Sequence, residues 1–136
     1  MSTTTPTDRE IAEARLLEQG DSMIVLALPD SDYKTHLRVD QPLAAELKDI
    51  VRGRIFAQAR RVDVVGTGGR YIEPVFGRPR RLQGRIVGGD VEANTLVVDV
   101  GVPMTCKLMD AQRAADFELG RLVSFDVEPG ARFEPA

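Results

Sequence analysis

Apolar and polar positions follow a helical spacing twice near the start of the chain and a strand spacing almost everywhere after it. Ile11, Ala14 and Leu17 share one helical face, and Gly20 is a natural stop. Thr7-Asp8-Arg9-Glu10 ahead of them has the form of a capping box: the Thr7 hydroxyl accepts from the Glu10 amide and the Glu10 carboxylate reaches back. This predicts a helix over 7–20, thinly apolar and packed on the surface of the domain or against a partner. A second helix is predicted from Asp40, with Pro42 in its first turn and Leu43, Leu47, Ile50 and Val51 at i, i+4, i+7 and i+8. Between them lie two strands. Met23 to Leu28 is apolar on both faces, whereas Tyr33, Thr35, Leu37 and Val39 alternate with Lys34, His36 and Arg38.

From residue 51 the pattern is nearly continuous β. Val51, Ile55, Ala57 and Ala59 are apolar at odd positions, and the parity then flips to Val62 and Val64, which predicts a bulge at Arg60-Arg61. Gly66-Thr67-Gly68-Gly69 reads as a hairpin turn before a short strand from Tyr71 to Phe76, which Pro74 marks as an edge. Leu82, Gly84 and Ile86 alternate with Gln83 and Arg85. A hairpin loop at 88–94 leads into Thr95 to Gly101. Met104, Cys106 and Leu108 should face inward, as should Val123, Phe125 and Val127, with a short helix opened by Asp110 between them and Phe133 as an anchor in the tail. A glycine, an arginine and an apolar residue recur at Gly53, Gly84 and Gly120, but at unequal spacings of 31 and 36 residues, so no repeat is read from them.

The expected fold is mainly β, α+β overall: a small OB-like or similar Greek-key barrel at 51–128 with two or three short helices. Residues 1–6 are expected to be a disordered tail and 7–136 a single domain, with 7–50 supplying the N-terminal helix, two strands and second helix. No apolar run approaches membrane-span length and no signal-peptide pattern opens the chain, so a cytoplasmic protein without membrane contact is expected.

Composition restricts the chemistry. His36 and Cys106 are the only residues of their types, too few for a zinc site. Cys106, alternating with polar neighbours, reads as a buried small hydrophobe, and His36 as a surface residue. The strand-then-GxG sequence at 62–69 suggests a dinucleotide turn. Such a turn needs a helix next, and Pro74, Gly77 and Pro79 exclude one. No serine lies in a nucleophile elbow. The reading is of a protein that is not an enzyme and uses no metal or cofactor.

Charge carries the remaining signal. Net charge is −5 over residues 1–51, +7 over 52–85 and −5 over 86–136. The basic stretch uses only arginine, whose planar fork suits phosphate and carboxylate. The candidate binding residues are Arg52, Arg54, Phe56, Arg60, Arg61, Arg70, Tyr71, Arg78, Arg80, Arg81 and Arg85. The leading expectation is a non-enzymatic binding or assembly module whose arginine-rich β-surface meets an acidic partner protein or another copy of the chain. A bland alternative pairs these arginines with the flanking acids of the same chain. A functional alternative is an OB-like binder of RNA or single-stranded DNA, with Phe56 and Tyr71 stacking bases. The acidic pI of about 5.2 weighs against that reading.

Overall fold

A computed structural model describes residues 9–136 of the chain. Twelve strands run in one continuous hydrogen-bonded sheet. They are β1 (Ile11–Gln19), β2 (Met23–Ala27), β3 (Lys34–Arg38), β4 (Ile50–Gln58), β5 (Asp63–Val64), β6 (Tyr71–Glu73), β7 (Phe76–Gly77), β8 (Arg81–Asp90), β9 (Thr95–Asp99), β10 (Pro103–Lys107), β11 (Leu122–Asp126) and β12 (Arg132–Pro135). The fold is mainly β and contains a closed five-stranded barrel. No helix among the described residues is long and apolar enough to cross a membrane.

The sheet closes on itself. β1, β2 and β3 form an antiparallel meander. β3 meets β12 in parallel at Arg38–Arg132, β12 runs antiparallel to β4, and β4 returns antiparallel to β1. A second ring grows from the far end of β4. β8, β9 and β10 form another antiparallel meander, β10 pairs in parallel with β4 at Thr105–Phe56, and β11 runs antiparallel to β8. This ring closes through the Ala59–Val127 bridge, where the amide of Arg60 donates to the Asp126 carbonyl and that of Glu128 to the Gln58 carbonyl.

The two rings repeat one another residue by residue. Arg15 pairs with Ala27 on one side and Ile50 on the other; Arg85 pairs with Asp99 and Leu122. Ile24 faces Leu37, and Leu96 faces Cys106. Register shifts fall at Leu16/Glu18 in the first ring and at Ile86/Gly88 in the second. The Leu16 carbonyl accepts from the Lys48 amide while the Leu16 amide donates to Asp49, and Ile86 does the same with Gly120 and Arg121. Lys48 and Gly120 even share a left-handed backbone, with φ of 77° and 85°. The duplicated unit is thus three strands, a connection and a fourth strand. The fifth strand is exchanged: the chain leaving β4 through Ala59 closes the second ring, and β12, next in sequence after β11, closes the first. The core phenylalanines alternate accordingly. The first ring places Phe133 on its fifth strand over Gly53 of its fourth, where an added Cβ would meet the Phe133 ring at 2.5 Å. The second ring has Phe125 at the Gly53 position and Ala59 at the Phe133 position; all three apolar side chains are buried.

Several expectations need correcting. The predicted helix over 7–20 is β1; Thr7, Asp8 and the expected tail at 1–6 lie outside the described residues. Ala12, Ala14 and Leu16 are buried at period two while Glu13 and Arg15 face solvent, and two small alanines disguised that alternation. The second helix is absent. Lys48 turns left-handed and bonds Leu16, so the chain enters β4 with Leu47 and Ile50 exposed. The short helix after Asp110 shrinks to one 3-10 turn, Ala114–Asp116. No bulge forms at Arg60-Arg61. β4 ends at Gln58, Val62 is buried and Val64 is exposed, so the parity flip marks a chain leaving one ring. Gly66–Gly69 is not a hairpin turn, because β5 pairs with β11 while β6 pairs with β8. The barrel strands extend beyond 51–128 at both ends. The inward positions of β8, β10 and β11, the burial of Cys106 and the anchoring of Phe133 are as expected.

The Lys48 position gives a direct test. A left-handed conformation costs a lysine about 1 kcal/mol more than a glycine. Lys48→Gly should therefore raise stability by up to ~1 kcal/mol, and Gly120→Ala should lower it by a similar amount, both read from urea unfolding midpoints. Phe133→Ala should cost roughly 3–5 kcal/mol, because it empties the first ring over a glycine that cannot fill the space.

Candidate functional site

The register of the rings brings the candidate residues together in three groups, not one face. On the outer side of β4, Arg52 pairs with Glu13 at 2.7 Å and Arg54 with Glu10 at 3.4 Å. Phe56 is half-buried beside them. Its ring lies under two guanidinium carbons, Arg54 at 4.6 Å and Arg132 at 4.4 Å. Arg70 and Arg85 flank Asp99: Arg70 pairs with its carboxylate at 3.1 Å, while Arg85 lies opposite it across the ladder and donates to the Gly120 carbonyl.

The third group centres on Arg81. It donates to the Asp126 carboxylate at 2.9 Å and to the Ser124 hydroxyl at 2.8 Å. Its side-chain hydrogen bond to Tyr71, and then the one to Asp126, raise its pKa above the ordinary arginine value. Arg81 therefore ties β6, β8 and β11 together and is not a free binding group. Arg60 approaches Glu128 at 4.0 Å, and Arg61 pairs with Asp63 at 3.1 Å. Six of the nine arginines thus meet a carboxylate of the same chain, five of those carboxylates coming from the acidic flanks.

Arg78 and Arg80 differ. Among the described residues no carboxylate lies within ion-pair distance of either. They border an open cleft of about 600 Å³ with Phe76, Arg81, Glu73 and Asp126. The segment is positioned by β7, which adds to the edge of β3, and by β6 on β8. The same segment exposes two large apolar side chains in a row, Val75 at 53% and Phe76 at 58%.

His36 is not an ordinary surface histidine: its ring packs edge-on against Phe76, centroids 4.9 Å apart, and its Nε2 is buried without a hydrogen-bond partner. Thr105 is its counterpart in the second ring, and the Thr105 hydroxyl is likewise buried and unpartnered. Sequence reasoning missed Arg132 and Lys107, which lie outside the basic stretch and reach the Phe56 surface through strand pairing alone.

No group of histidine, cysteine and carboxylate side chains able to hold a metal occurs among the described residues. Cys106 is fully buried, and desolvation pushes its pKa up to about 12, so it does not supply a thiolate nucleophile near neutral pH. Comparison with protein families, with curated proteins and with solved structures finds no match for this chain.

Burial of Cys106 has two measurable consequences. The native protein should not react with a thiol reagent until it unfolds. Below pH 9 the thiol is protonated in both states; between pH 9 and about 12 it ionises only in the unfolded chain, so stability falls as pH rises. The contribution is roughly 1.4 kcal/mol per pH unit in that window. Denaturant midpoints for the wild type and Cys106→Ala should therefore converge as pH rises through the window.

Proposed function

We propose that this chain is a non-enzymatic binding module, and that its contact surface is the segment from Val75 to Arg80. The supporting observation is the pairing of exposed apolar surface with uncommitted charge: Val75 and Phe76 stand beside Arg78 and Arg80. Apolar anchors next to arginine suit a protein partner, and charge complementarity makes that partner an acidic segment. A second copy of the chain is the competing partner, because the arginine-paired Glu10, Glu13, Asp99, Asp126 and Glu128 are only part of its 21 acidic residues.

The probe is a fluorescent peptide in which aspartate and glutamate alternate with leucine and phenylalanine. It should bind saturably, weaken with added salt, and lose binding with Arg78→Glu/Arg80→Glu. Phe76→Ser should weaken it by about tenfold, the loss of one buried anchor. Absence of binding, or binding indifferent to the arginine substitutions, would overturn the proposal. Light scattering at low and high salt reads self-association, the competing outcome.

One observation favours a nucleic-acid reading. In the first ring the strand order β1-β2-β3-β12-β4, with β3 parallel to β12 and the other pairs antiparallel, supports an OB-like reading. OB barrels bind oligonucleotides across their second and third strands. Here the outer positions of β2 and β3 include Lys34, His36 and Arg38. Against it, the Phe56 ring is already occupied by guanidinium groups. Fluorescence anisotropy with a short single-stranded oligonucleotide tests the reading, with affinity expected to fall steeply with salt.

A further inference from the structure

A second cavity lies at the seam where the rings trade strands. It has a volume of about 380 Å³ and is walled by β4, β9, β10 and the chain entering β12. None of the residues from Val75 to Arg80 lines it, so it is separate from the surface described above.

Its lining is one-signed. Lys107 and Arg132 are the ionisable side chains on it, and no carboxylate lines it. Arg132 is held by the Phe56 ring and paired with Glu134, which stays outside the cavity. The Lys107 ammonium donates to the Ala93 carbonyl at the rim, leaving donors to spare. Thr105 lines the β10 wall two residues before Lys107 and across Phe56 from Arg132; it is 3% exposed, and its buried hydroxyl has no hydrogen-bond partner. A buried polar atom without a partner calls for an explanation, and a bound ligand is one. Two cations and a hydroxyl donor around a concave space match the oxygens of a phosphate. The Phe56, Ala57 and Ala93 surfaces leave room for a non-polar remainder that inorganic phosphate would not fill.

We infer that this seam cavity binds a small organic phosphate, with Lys107 and Arg132 neutralising the phosphoryl group and Thr105 donating to it. The site needs both halves of the chain, since Lys107 belongs to the second meander and Arg132 to the strand that closes the first ring.

Isothermal titration of the full chain with adenosine monophosphate, glycerol phosphate, phenyl phosphate, inorganic phosphate and adenosine tests the inference. At least one organic phosphate should bind saturably, more tightly than inorganic phosphate, and adenosine should not bind. Lys107→Gln and Arg132→Gln should each weaken binding about tenfold or more. Thr105→Val should weaken it too, while leaving the ligand-free melting temperature unchanged or higher, because no hydrogen bond is lost. That variant keeps the test valid even if Arg132→Gln disturbs Phe56. Arg78→Glu/Arg80→Glu should leave phosphate binding intact, so the two surfaces fail or succeed separately. Absence of binding by all three organic phosphates would overturn the inference, as would affinity unchanged in both Lys107→Gln and Thr105→Val. A single-stranded oligonucleotide that binds more tightly than the mononucleotide and is lost in the same variants would also overturn it.

Discussion

The structure depends on the backbone hydrogen bonds that close each ring. Four strands leave two edges of unpaired amides and carbonyls, and only a fifth strand satisfies both. Each half of this chain provides four and receives the fifth from the other. β4 serves both rings: its first residues pair with β1, its middle residues with β12 and its last residues with β10. The antiparallel run joining β4 and Ala59 to Val127 and β12 is therefore common property. Remove it and both barrels have open edges. The core side chains conform to this arrangement, with the larger residue on the incoming strand in one ring and on the resident strand in the other.

Pairing also explains how charge segregated along the sequence becomes balanced in space. β4 and β8, the arginine-bearing strands, take as neighbours strands from the acidic flanks. The register sets Glu13 opposite Arg52, Glu134 opposite Arg54, Asp126 opposite Arg81 and Asp99 opposite Arg85. Exposed pairs of this kind contribute at most ~1 kcal/mol each. Their larger effect is on register, since a slip by one residue would turn these charges toward the core. The positions this arrangement leaves uncommitted, Arg78 and Arg80, belong to the connection between β7 and β8, outside any strand.

The β character, the inward faces of β8, β10 and β11, and the burial of Cys106 are legible in the sequence because period-two alternation there uses large residues. Both long helices are misleading for a physical reason. Ala12 and Ala14 are inward strand residues that fit a helix equally well in isolation, and Leu43 to Val51 has helical spacing by coincidence with a turn. The duplication is illegible because equivalent positions hold unlike residues: Lys48 for Gly120, Gly53 for Phe125, His36 for Thr105, Ala14 for Gly84. Hydrogen-bond geometry is what the two rings share, and many side chains tolerate it. The candidate arginines stand out in sequence as a group between acidic flanks. Which of them meet carboxylates, and which stay uncommitted, depends on strand adjacency, which a one-dimensional reading does not contain.

Strand exchange also orders events in time. β1 to β4 are made first, yet the first barrel lacks its closing strand until the chain has been synthesised through Pro135. Until then the facing edges of β3 and β4 are open to other chains, a hazard for any nascent sheet. The exposed edge is short and carries Lys34, Arg38 and Arg54, whose positive charge discourages β-pairing between chains until β12 brings Glu134 opposite Arg54. In the finished molecule arginine steadies the ladder; on the ribosome it would act first as a gatekeeper.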